Sequence, residues 1–102
     1  MDIAGFDWDA GNWPKCGKHG VSRAEIEQVL LGEPAVMGDP HATEPRLRAI
    51  GKTAAGRYVF MVFTWRTRQG ERRLRPISAR YMHKHEVDHY ESQIEKAAKT
   101  PH

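Results

Sequence analysis

The sequence predicts an α+β fold: a small antiparallel sheet of three to four strands, with two N-terminal helices and one C-terminal helix packed against it. Three observations carry this. Between Arg57 and Arg66, Tyr58, Phe60 and Val62 alternate with Val59, Met61, Phe63 and Trp65, which describes a central strand with apolar residues on both faces. Ser22-Arg23-Ala24-Glu25 has the spacing of a capping box, in which hydroxyl and carboxylate each satisfy an orphan amide, and so opens a helix. From His83 to Lys99, His83, Val87, Tyr90, Ile94 and Ala97 or Ala98 fall on one helical stripe, which should lie on the sheet.

The remaining elements follow in order. Phe6-Asp7-Trp8-Asp9 reads as a short strand or turn, and Pro14, tolerated in a first helical turn, suggests a short helix ending near Gly17 or Gly20. The capped helix buries Ala24, Ile26, Val29, Leu30 and Leu31 and stops at Gly32 and Pro34. Val36-Met37 and Arg46 to Ile50 read as strands, with a turn between Gly51 and Gly56. Thr67-Arg68-Gln69-Gly70 connects the central strand to a last one, Glu71 to Arg80. Pro76 lacks a ladder donor, so that strand is at an edge, bulged, or bonded on one side only.

With 102 residues, 39% of them hydrophobic, the chain suits one domain. No apolar run approaches a membrane span and no signal-peptide pattern opens the chain, which predicts a cytoplasmic protein. The single cysteine, Cys16, excludes an internal disulfide and reads as structural. Net charge is only +3, yet its distribution is uneven. Residues 1–45 hold three Lys/Arg against eight acids, residues 46–84 eleven against Glu71 alone, and residues 85–102 two against four. So one-signed a middle segment suits a polyanion, whose phosphates offset the self-repulsion of clustered arginines. A solvated basic face is the plainer alternative.

The strongest constellation is the last hairpin, with Arg66, Arg68, Arg72, Arg73, Arg75 and Arg80. Strict alternation places Arg72, Ser78 and Arg80 on one face and Arg73, Arg75, Ile77 and Ala79 on the other. The Ser78-Ala79-Arg80 end is the better anion site, because a strand there runs into a helix N-terminus. Lys18-His19-Gly20-Val21 puts an ammonium and an imidazole on a loop, where histidine can exchange a proton near neutral pH or simply cap a helix. Trp8 and Trp65 can stack on bases or fill a core. His85-Glu86-Val87-Asp88-His89 matches the zinc-protease pattern H-E-x-x-H. At about 100° per residue, however, both histidines fall opposite the apolar stripe, toward solvent, and no third ligand has a motif. Gly51-Lys52-Thr53 resembles the end of a P-loop, but Arg46 stands where that pattern needs glycine.

Phe6-Asp7-Trp8-Asp9, Lys18-His19-Gly20-Val21-Ser22, Arg46-Leu47-Arg48-Ala49-Ile50-Gly51, and above all Arg75-Pro76-Ile77-Ser78-Ala79-Arg80 followed by Glu86 and Tyr90, resemble the BrnT family over about residues 6 to 91. The resemblance implies a fold similar to RelE-type toxins. It also implies a type II toxin that cleaves RNA without metal or other cofactor and halts translation. Its partner would be a BrnA antitoxin with a ribbon-helix-helix domain, through which alone the complex reaches operator DNA and represses its operon. Lys18, His19, Arg46, Arg80 and Glu86 fall at positions matching the family pattern, with Trp8 close by. The chain departs from it at Tyr81-Met82-His83-Lys84-His85, where further basic residues are usual, and at Pro14 and Gly17.

Metal-free cleavage requires removal of the 2′-hydroxyl proton, stabilisation of charge on the phosphorane, and protonation of the departing 5′-oxygen. Arginine's planar fork suits the second task, which assigns Arg80, with Arg46 or Arg75, to the phosphate. His19 or His83 is the candidate for proton transfer, with Lys18 assisting and Glu86 orienting an arginine; Arg75, Arg66, Trp8 and His83 complete the RNA-contacting set. The competing classes are a non-catalytic basic module that docks nucleic acid or a partner, and a zinc hydrolase built on His85, Glu86 and His89.

Overall fold

The computed structural model describes residues 3–39 and 45–99, and it is α+β. Its elements are α1 (Arg23–Leu31), β1 (Ala35–Gly38), β2 (Leu47–Lys52), β3 (Tyr58–Arg68), β4 (Glu71–Tyr81) and α2 (Lys84–Lys99). The four strands form an antiparallel meander in the order β1-β2-β3-β4. β3 pairs with β2 from Leu47 opposite Phe63 to Lys52 opposite Tyr58, and with β4 from Val59 opposite Tyr81 to Arg68 opposite Glu71.

One face of the sheet is buried. Ala49, Val59, Met61, Phe63, Leu74 and Ala79 meet Ile26, Val29 and Leu30 of α1, with Cys16 and Val21 filling in beside them. Glycine is required where α1 crosses β2: a Cβ on Gly51 would stand 2.9 Å from Val29 Cγ1. Ala24 and Leu31, expected in the core, are exposed, because the helix is only nine residues long and presents one narrow stripe.

The capping box forms as the sequence predicts. Glu25 N donates to Ser22 Oγ (3.1 Å) and Ser22 N to Glu25 Oε1 (3.1 Å). Removing it through Ser22→Ala should destabilise the protein by about 1 kcal/mol, read as a shift in the urea midpoint with an unchanged slope.

Other elements differ from expectation. The first of the two N-terminal helices is only a 3-10 turn, Lys15–Gly17. A Cβ on Gly17 would meet the Trp13 ring at 2.7 Å, so the ring packs directly against the glycine. The hairpin connection is two residues rather than four: Gln69 (φ 53°) and Gly70 (φ 80°) both adopt positive φ, matching the twist of the strands and letting β3 and β4 run to Arg68 and Glu71. Strand β2 continues to Lys52, so the following turn is shorter than predicted. The α2 stripe does not lie on the sheet along its length. Tyr90 meets Tyr58 edge-on at 5.6 Å, while Ile94, a turn later, is 48% exposed. The Ala98 side chain lies outside the description. No helix of the described residues is long and apolar enough to cross a membrane.

Residues 4–7 run parallel along the outer edge of β4, bonded through Ala4 N to Arg72 O (2.9 Å), Leu74 N to Gly5 O (3.1 Å) and Asp7 N to Leu74 O (2.8 Å). Asn12, 3% exposed, then ties this segment to the sheet. Its Nδ2 donates to both Asp7 O and Pro76 O (2.9 Å each), and its Oδ1 accepts from Asp9 N (2.8 Å).

Candidate RNA-contacting face

Strand β4 carries a bulge against β3 between Val62 and Phe63: Ser78 opposes Val62, while Pro76 opposes Phe63, leaving Ile77 over. Proline removes the ladder donor there, and Asn12 takes up the Pro76 carbonyl. The consequence is a change of phase. Buried positions along β4 are Leu74, Pro76 and Ala79, not an unbroken alternation. The expected division of the arginines is therefore corrected. Arg73 (opposite Arg66) and Arg75 (opposite Thr64) share a face with Ser78 and Arg80, while Arg72 turns to the other side, its guanidinium 3.8 Å from the Trp65 ring centroid. Ala79, expected beside Arg73 and Arg75, is in the core.

The face opposite α1 thus gathers Arg48 of β2, Arg66 of β3, and Arg73, Arg75 and Arg80 of β4 around Phe60, Val62 and Thr64. Several of these cations have carboxylate partners. Arg75 bonds Asp7 Oδ2 (3.0 Å) and Asp9 Oδ1 (2.9 Å); Arg68 reaches Asp7 (3.4 Å), Arg48 reaches Asp39 (3.1 Å) and Arg73 reaches Glu71 (3.6 Å). The Arg75 pairing holds Asp9 below the usual carboxylate range and raises the arginine. Arg75 is accordingly a strut between the N-terminal segment and β4 rather than a free RNA contact, with only 14% of its side chain exposed. The acidic first third of the sequence thus neutralises part of the basic segment.

Arg80 stands at the other end of this face, 37% exposed, its guanidinium carbon 5.0 Å from the Phe60 ring centroid. It makes a two-pronged pair with Glu86 of α2, Nη1 to Oε1 at 2.7 Å and Nη2 to Oε2 at 2.8 Å. Glu86 Oε1 also accepts from His83 N (2.9 Å), capping α2. The Arg80 guanidinium, then the His83 amide, holds the Glu86 carboxyl at about 2, from an ordinary 4.5. A carboxylate so acidic does not exchange protons near neutral pH; it fixes the arginine. The depressed value means that the pair's stabilisation is present above pH 4.5 and is lost as pH falls from there through about 2. Urea melts at pH 6 and pH 2.5 should show a smaller stability loss on acidification for Glu86→Gln than for the wild-type chain.

The remaining predicted residues are dispersed. Arg46 and Arg66 line a second part of the same face, a cleft of about 210 Å³ shared with Lys15, Thr64, Arg75 and Ile77. His83 is exposed at the start of α2, its ring stacked on His85 at 5.9 Å. Lys18 and His19 are exposed in the loop before α1. That loop approaches Tyr81, a Cβ on Gly20 lying 4.0 Å from its ring. Tyr81 faces α1, donating to Glu25 (2.7 Å), whereas Arg80 faces away. No hydrogen bond or ion pair joins Lys18 or His19 to Arg80, Glu86 or His83. Trp8 is also on the α1 side. Its Nε1 donates to Glu27 (2.8 Å), its ring meets Trp13 edge-on at 5.5 Å, and Arg23 covers it at 4.9 Å. It packs there rather than offering a ring to the basic face.

His85 and His89 are exposed, as the helical phase predicts, but they line a cleft with Met37, Phe60, Arg80 and Tyr90 rather than facing away from the sheet. Among the described residues no group of three His, Cys, Asp or Glu side chains is placed to hold a metal. Cys16 is 1% exposed, and burial raises its thiol. The sequence reading missed Lys15 and Thr64 as companions of Arg46 and Arg66, and the Asp7/Asp9 pair, more than 60 residues away, as partners of Arg75.

A protein-family model described as "Ribonuclease toxin, BrnT, of type II toxin-antitoxin system" matches residues 8–86. No curated protein and no solved structure matches the chain.

Proposed function

Since the chain belongs to the BrnT family of ribonuclease toxins of type II toxin-antitoxin systems, we propose that it cleaves cytoplasmic RNA on the open arginine face of its sheet, without metal. On this reading cleavage halts translation, and a BrnA-type ribbon-helix-helix antitoxin neutralises the toxin and carries the pair to operator DNA. The likeness to RelE-type toxins belongs to the same proposal.

The observation that carries it is the phase change at Ile77, which puts Arg73, Arg75 and Arg80 of one strand on one face with Arg66 and Arg48. In this mechanism Arg80, held end-on by Glu86, offers its remaining N–H groups to the scissile phosphate and stabilises the charge that develops on its oxygens. His83 is the candidate for proton transfer, since its amide bonds the same Glu86 carboxylate that grips Arg80. The 2′-oxygen gives up its proton and bonds to phosphorus, the phosphorus to 5′-oxygen bond breaks, and the departing oxygen takes a proton. Lys18 and His19 remain candidates only for contacts with a longer RNA that reaches round to the α1 side.

Incubating the purified protein with RNA in excess chelator tests this. Cleavage is expected. Binding without turnover would instead support a docking module, a reading to which the many internal arginine pairs give some weight.

A further inference from the structure

A cleft of about 210 Å³ lies at the end of the basic face remote from Arg80, at the point where β2 begins. It is polar and lined by Lys15, Arg46, Thr64, Arg66 and Arg75.

The geometry points to a phosphate subsite here, in which Lys15, Arg46 and Arg66 hold a backbone phosphate of a single-stranded RNA. This deepens the ribonuclease reading and rests on it, by placing a flanking nucleotide away from the scissile phosphate at Arg80.

Charge is the first reason. Of the four cations around the polar cleft, only Arg75 has carboxylate partners, Asp7 and Asp9; Lys15, Arg46 and Arg66 form no ion pair with any described residue. Three cations with no carboxylate partner among the described residues, around one small cleft, repel one another and favour an anion between them. Rigidity is the second. Thr64 Oγ1 donates to Pro45 O (2.8 Å), and buried Asn12 fixes the loop that carries Lys15, so the cleft walls are set before any ligand arrives. Spacing is consistent with a chain running between the two sites. Arg80 opposes Phe60 and the cleft centres on Thr64, four residues or about 13 Å along β3.

The test is titration with a single-stranded 2′-O-methyl RNA hexamer, which cannot be cut by attack of its own 2′-oxygen, at several salt concentrations. Wild-type affinity should fall linearly with salt on logarithmic axes. Lys15→Gln and Arg66→Gln, both at exposed positions, should each weaken binding and reduce that slope by about 0.7. Wild-type slope and affinity in both charge variants, with melting curves unchanged, would overturn the subsite. Cleavage of unmodified RNA by the wild-type protein, assayed in parallel, separates the two ideas. Cleavage with unaltered variant binding removes the subsite alone, and altered variant binding without cleavage removes the ribonuclease reading alone.

Discussion

Arg80→Ala is expected to slow RNA cleavage by about 10²–10³-fold and to abolish growth arrest on expression, with little change in stability. The guanidinium is presented from a strand whose neighbour Ala79 is locked in the core opposite Met61, and Glu86 holds it at two points. It is thus oriented before substrate arrives, which is the condition under which a cation stabilises a transition state without reorganisation. The pair itself is partly exposed, 37% and 27%, so losing it should cost only about 0–1 kcal/mol of folding. Arg80→Lys should not restore the rate, because an ammonium cannot reproduce the two-pronged geometry. An Arg80→Ala variant that cleaves at the wild-type rate would remove this residue from the site.

The second large effect concerns the scaffold. Phe63→Ala should lower stability by about 3–5 kcal/mol, a large share of the roughly 5–15 kcal/mol typical of a whole domain. Phe63 is fully buried between the sheet and α1, and it stands opposite Pro76 at the bulge. Its loss leaves a cavity where β4 changes phase, so the register that brings Arg73 and Arg75 round to Arg80 should loosen with the core. Urea unfolding measures this directly; a loss under 1 kcal/mol would show that the site collapses around the smaller side chain.

Much of the fold was legible in the sequence because the signals were local. The Ser22/Glu25 box, the alternation through β3 and the presence of a hairpin between β3 and β4, though not its two-residue turn, are each decided by residues within a few positions of one another. What escaped depended on partners far along the chain. Pro76 announced an irregularity, but its carbonyl is bonded by the side-chain amide of Asn12, 64 positions away, which donates to it. Strict alternation therefore put Arg73 and Arg75 on the wrong face. Likewise nothing near Arg75 signals that Asp7 and Asp9 will meet it, and the predicted N-terminal helix is a 3-10 turn with Trp13 packed over Gly17. The candidate site was read as a list of cations. Which are free, as Lys15, Arg46 and Arg66 are among the described residues, and which are struts emerges only from tertiary pairing.

The account stands most directly on the chemistry of the cut. The products formed from a defined RNA by the purified protein in excess chelator should carry 2′,3′-cyclic phosphate and 5′-hydroxyl ends, and a single 2′-deoxy substitution at the cleaved position should block the reaction. Cleavage that requires added divalent metal, or that survives the 2′-deoxy substitution, would contradict it.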